Sequence, residues 1–122
     1  MLLGSTKFTA NIYHWRAGMR VYQSVGSAFE LCKSHGLTEN LAEFSQVFLG
    51  QNQSYFITLK SNVAEPTLGA VAILATRLQS TAEAMMATKK YRHLALKLMN
   101  ESEKLRDIVN EDGVELDLDG AE

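Results

Sequence analysis

The chain has 122 residues, 46% of them hydrophobic by type, with 12 Lys and Arg against 14 Asp and Glu. That is one ordinary domain able to bury a single core, and it leaves no room for two full-sized ones. The net charge of -2, taken whole, argues against a nucleic-acid partner, but it hides an asymmetry. Residues 1–97 hold ten basic side chains (Lys7, Arg16, Arg20, Lys33, Lys60, Arg77, Lys89, Lys90, Arg92, Lys97) and five acidic ones (Glu30, Glu39, Glu43, Glu65, Glu83), a balance of +5, whereas residues 98–122 hold two basic and nine acidic, a balance of -7.

The one cysteine, Cys32, has no internal disulfide partner, which points to a reducing compartment and a cytoplasmic location. No apolar run approaches the ~18 to 20 residues of a membrane span, and Met1 to Ala10 is too short and polar for a signal-peptide core, so no membrane partner is expected. With one proline and few strand-like alternations the chain reads as all-α.

Residues 1–11 show no period and are expected to form an N-terminal arm. From about Ile12 to His35, Val21, Val25, Phe29 and Cys32 recur at helical spacing and Gly36 supplies a stop. Gly18 and Gly26 leave open whether this is one helix or two short ones. Thr38-Glu39-Asn40 opens a second helix with Leu41, Phe44, Val47 and Phe48 on its apolar side, and Gly50 breaks it. Ser54 to Lys60 suits a short helix, or equally a strand, although neither neighbour offers a strand to pair with. Pro66 is expected in the first turn of a further helix carrying Leu68, Val71, Leu74, Ala75 and Leu78. Ser80 followed by Glu83 has the spacing of a capping box, so one helix is expected to end there and a last, long one to run over residues 81–110. Along it Tyr91, Leu94, Leu98, Leu105 and Ile108 fall at heptad spacing, either as a dimer seam or as the stripe that packs the helix on its own domain. Residues 111–122 are acidic and expected to be a disordered tail.

Three short helices, with a glycine-containing turn between two of them, make a helix-turn-helix arrangement within residues 12–80. The stretch LTENLAEFSQVFLGQNQSYFITLKSN, followed by EPTLGAVAILATRLQ, resembles the DNA-binding domain of the phage repressor and Cro (Xre-like) family over about residues 25–80. The resemblance rests on Phe44-Ser45, Gly50, Ser54-Tyr55 and Pro66-Thr67-Leu68, with Val71, Leu74, Ala75 and Leu78. Two departures stand out: Ser45 replaces the family's usual alanine, and Phe48-Leu49-Gly50 makes the interval from Phe44 to Phe56 one residue longer.

The resemblance implies a lambda-repressor-like domain of four or five helices and a small DNA-binding transcriptional regulator, working as a homodimer on paired half-sites of double-stranded DNA. A recognition helix points its N-terminal end at base edges and needs polar side chains there, which Gln51, Asn52, Gln53 and Ser54 supply. Thr58 is placed for a thymine methyl, and Lys60 and Ser61 for phosphates. Tyr55 either stacks on the DNA backbone or braces the core. The amides at Thr38 to Asn40 offer a phosphate a helix N-terminus, against repulsion from Glu39. Lys89, Lys90, Arg92, His93 and Lys97 form either a phosphate-facing stripe or the wet side of a helix.

A second reading keeps the fold and gives it a regulatory protein partner, as an antagonist of a transcription factor would have. It draws on the altered turn, the acidic end and the lack of Arg or Lys between Lys33 and Lys60. Cys32 and His35 have the spacing of half a zinc site without the other half, so no metal is expected. No glycine-rich phosphate loop appears, and neither His14 beside Trp15 nor His93 has a nucleophile or carboxylate placed for it. Neither a cofactor nor enzymatic activity is therefore expected.

Overall fold

Helical periodicity becomes helix along almost the whole chain. The computed structural model describes the backbone of residues 9–121 and the side chains of residues 20–111. Its elements are α1 (Thr9–Ser34), α2 (Leu41–Val47), α3 (Tyr55–Asn62), α4 (Leu68–Met86), a single 3-10 turn (Lys89–Tyr91) and α5 (Arg92–Ala121). Among the described residues there is no strand, and the fold is all-α. No helix among them is long and apolar enough to cross a membrane.

The first helix is one element and begins at Thr9, so it takes in the end of the expected arm; residues 1–8 of that arm lie outside the described residues. It buries Val21, Val25, Ala28, Phe29 and Cys32 along one stripe. Gly36, at φ +78, ends it as the spacing predicts, with the Leu37 N–H donating to the Cys32 carbonyl at 2.8 Å and the Gly36 N–H to that of Lys33 at 3.2 Å.

Helix α4 departs from expectation at both ends. Its N-cap is Thr67, whose hydroxyl accepts the Ala70 N–H at 3.2 Å, so Pro66 stands before the helix rather than in its first turn. The helix then runs straight through Ser80 to Met86. Buried Leu74, Ala75, Leu78 and Ala82 continue one apolar stripe across the presumed break, and Glu83 accepts from the Gln79 side chain instead of turning back on Ser80. The real break is at Ala87-Thr88, where the Arg92 guanidinium donates to the Met86 carbonyl at 3.4 Å.

From that turn α5 runs back along α4, with Ser102 Oγ donating to the Ala75 carbonyl at 2.7 Å. Leu98, Leu105 and Ile108 are buried in this hairpin, together with Ala95 and Ser102. The heptad stripe is thus the inner face of the protein's own core and not a dimer seam: Leu94 packs against that core and only Tyr91 of the five is exposed. The small side chains at Ala75, Ala82, Ala95 and Ser102 let the two backbones approach, and each fully buried leucine contributes ~1.5 to 3 kcal/mol. Where the sequence suggests a disordered tail from residue 111, α5 continues to Ala121. The chain has no proline after Pro66, glutamate and leucine suit helix, and Gly113 costs only ~1 kcal/mol.

Candidate nucleic-acid interface

α2 is capped from both sides by its own sequence. Asn40 Oδ1 accepts the Glu43 N–H at 2.8 Å, and the Glu43 carboxylate accepts the Glu39 N–H at 2.7 Å, a variant of the capping box. Thr38 is buried and bonds the Asn40 carbonyl. Of the amides at Thr38 to Asn40, that of Glu39 is thus taken by Glu43, while Asn40 takes that of Glu43 in the first turn.

At the other end of α2 the extra residue of the turn goes into the core. Phe48 and Leu49 are both buried, and their N–H groups converge on the Phe44 carbonyl at 2.9 and 3.1 Å. Gly50 then reverses the chain at φ +67, which a side chain would strain, and the Gln51 N–H donates to the Ser45 carbonyl at 2.8 Å. Arg77 reaches over from α4 to close the end, its Nη1 donating to the carbonyls of Val47 at 2.6 Å and Gln46 at 3.3 Å. A cation there also meets the negative end of the α2 dipole.

The long turn delivers α3 onto an aromatic floor. Phe56 is buried, stacked on Tyr22 with ring centroids 4.7 Å apart and edge-on to Phe44 at 6.2 Å. Burial raises the Tyr22 hydroxyl above its ordinary pKa. The Phe56 N–H, in the first turn of α3, donates to Ser45 Oγ at 3.2 Å. Ser45 thus satisfies a buried amide that would otherwise lack a partner. Tyr55 braces: its hydroxyl accepts the Thr67 N–H at 3.0 Å and fastens α3 to the start of α4.

The predicted reading residues separate into two groups. Asn52 and Ser54 form a local turn, Asn52 Oδ1 accepting from the Ser54 N–H at 3.0 Å and its hydroxyl at 2.9 Å, while Gln51 is half-buried. Gln53, Thr58, Lys60 and Ser61 are exposed. The sequence reading missed Ile57, which is 45% exposed on the same helix. The signal was present in the phase set by Phe56 and Leu59, which puts position 57 off the buried face. Val63 ends α3 in the left-handed region at φ 50, with the Ala64 N–H donating to the Leu59 carbonyl at 3.0 Å. For a β-branched residue this backbone is strained.

The side chains of Lys89, Lys90, Arg92, His93 and Lys97 are exposed around the turn into α5. They do not flank α3. Tyr55 holds the start of α4, and the 19 residues of that helix put its far end ~28 Å away. Cys32 is fully buried and its thiol pKa is pushed up to about 12 by burial and by the charge of Glu101, whereas His35 is exposed and hydrogen-bonded to Ser34. His14 and Trp15 lie outside the residues whose side chains are described.

The profile of a family of unknown function (DUF6626) matches residues 25–117, which take in α2, α3, α4 and most of α5. The chain belongs to that family. The match puts the Ser45 to Phe56 link and the α4/α5 hairpin within one family domain, whose description assigns no activity. No curated protein and no solved structure matches the chain.

Proposed function

We propose that the protein is a small DNA-binding transcriptional regulator of a reducing, cytoplasmic compartment, which reads the major groove with α3 and works as a homodimer on double-stranded DNA. The observation that carries this reading is the two-sided build of α3. Phe56 and the Ser45 bond hold it from behind, while Gln53 just ahead of it and Thr58, Lys60 and Ser61 on it are exposed. Gln53 suits an adenine edge, Thr58 a thymine methyl, and Lys60 with Ser61 the phosphates. Asn52 and Ser54 serve the reader by shaping its N-terminus rather than by touching bases. Selection from random duplex oligonucleotides at low salt should recover a preferred sequence, and Gln53→Ala with Thr58→Ala should lose that preference while leaving the helical content unchanged. Recovery of no sequence, or an unchanged preference in the double variant, would sink the assignment.

A second reading, a helix-turn-helix module that holds a regulatory protein, is favoured by a different observation. Val47, Ile57 and Val63 are 51%, 45% and 48% exposed on α2, α3 and the α3 cap, and Lys60 is the one cation on α3. A stoichiometric protein partner, together with no retardation of any duplex at low salt, would select this reading instead.

A further inference from the structure

The outer face of α5 is exposed at His93, Leu96, Lys97, Asn100, Lys104, Asp107 and Glu111, which recur three and four residues apart along one stripe, with Glu103 at its edge. It is bipolar. Cations gather at its start, with Lys89 and Lys90 just ahead of Arg92 and Lys97, and acids outnumber the bases Lys104 and Arg106 from Glu101 onward. This order runs against the dipole of α5 itself, which has no acidic residue in its first turn and no basic residue in its last. The antiparallel α4 offsets part of that through its own dipole and takes up Arg92 at the Met86 carbonyl. It has little further charge to offer, because its only charged side chains are Arg77, engaged with α2, and Glu83. Within α5 Lys104 pairs with Glu101 at 3.6 Å, and Glu111 meets Arg20 of α1 at 3.7 Å. Lys97 and Asp107 stand on opposite sides of the stripe's midpoint, and Leu96, 55% exposed, adds an apolar contact in the basic half.

We infer that this stripe is the interface with a second copy of the chain, two α5 helices lying antiparallel with the basic half of each against the acidic half of the other. A two-fold axis level with Ser102 sets Lys97 opposite Asp107 of the second copy, and the same register sets His93 opposite its Glu111. The same surface meets itself, as a closed symmetric dimer requires. The interface supplies the pairing that the proposed DNA reading calls for and rests on that reading only for its use, since the charge pattern stands without DNA.

The test is sedimentation of the full chain, without DNA, at low and at high salt. The wild type should dimerise at low salt and its dissociation constant should rise about tenfold or more between 50 and 500 mM salt as the charges are screened. Lys97→Glu and Asp107→Lys should each weaken the dimer at least about tenfold, and the double variant should recover most of that loss because each reversed charge again faces an opposite one. Both positions are exposed, so far-UV circular dichroism should be the same for all four proteins. A wild type monomeric at low salt, single reversals without effect, or a double variant no better than the singles would each overturn the pairing. So would a Lys97→Glu protein that loses DNA retention while its dimer is intact, which would make the basic half a nucleic-acid contact instead. A monomer that still selects a DNA sequence ends the pairing and keeps the reader; a dimer that selects none does the reverse.

Discussion

The α4/α5 hairpin and the α2/α3 pair are held by different means. The hairpin is a broad apolar interface in which leucines alternate with alanines and Ser102 adds one bond across it. The α2/α3 pair is short, with helices of 7 and 8 residues that would not persist alone. A few nameable groups fix it: Ser45 under Phe56, Arg77 on the end of α2, Tyr55 on Thr67, and Asn52 on Ser54. A scaffold built by area tolerates small local changes, whereas an element built by single bonds is accurately placed and easily misplaced. The α2/α3 pair belongs to the second kind.

Phe44 belongs to the core cluster to which both regions contribute. Its ring is fully buried, with Phe29, Phe48 and Phe56 at centroid distances of 5.2, 5.6 and 6.2 Å. Phe44→Ala should cost about 3 to 5 kcal/mol in urea denaturation and unfold both regions together. Next comes alkaline pH, which acts through Cys32 in α1. Its folded-state pKa, raised to about 12, lies above the ~8.5 of an unfolded thiol. The stability this gives is fully present below the unfolded value and is lost as pH rises toward the folded one. The stability gap between the wild type and Cys32→Ala should therefore narrow as pH climbs above about 9, and a gap independent of pH would contradict the assignment.

Ser45→Ala probes the second region alone. It strands the buried Phe56 N–H and should cost about 1 to 3 kcal/mol, with chemical-shift changes concentrated in α3 and few in the hairpin. The smallest effect has the opposite sign. Val63→Gly relieves the left-handed strain at the end of α3, partly offset by the freer unfolded chain, and should stabilise by about 0.5 to 1 kcal/mol in thermal melts.

The fold was legible in the sequence wherever an apolar period met a glycine. The α1 stripe, the stop at Gly36 and the break at Gly50 appear as expected because a 3.6-residue period and a required positive φ are both local properties. Ser80 and Glu83 misled because a capping box is a matter of two residues, and the apolar stripe of α4 passing between them outweighs it. The heptad on α5 left its partner open between a second copy and its own domain: a periodic stripe states that something covers it, and here that is α4. At the candidate site the sequence located α3 but not which of its polar groups are already engaged. Asn52 and Gln53 look alike on paper, and only the turn geometry separates them, because Asn52 holds Ser54.

Glu65 ties the connection between the two regions to α1. Its carboxylate accepts the N–H groups of Val21 at 3.3 Å and Tyr22 at 2.7 Å, across 44 and 43 residues of chain. The loop it closes contains α2 and α3 entire, so one carboxylate ties the two ends of that stretch together. Opening of the α3–α4 connection therefore frees the middle of α1 from a tie it has outside its own helix, and deuterium uptake around Val21 and Tyr22 should rise in Glu65→Gln.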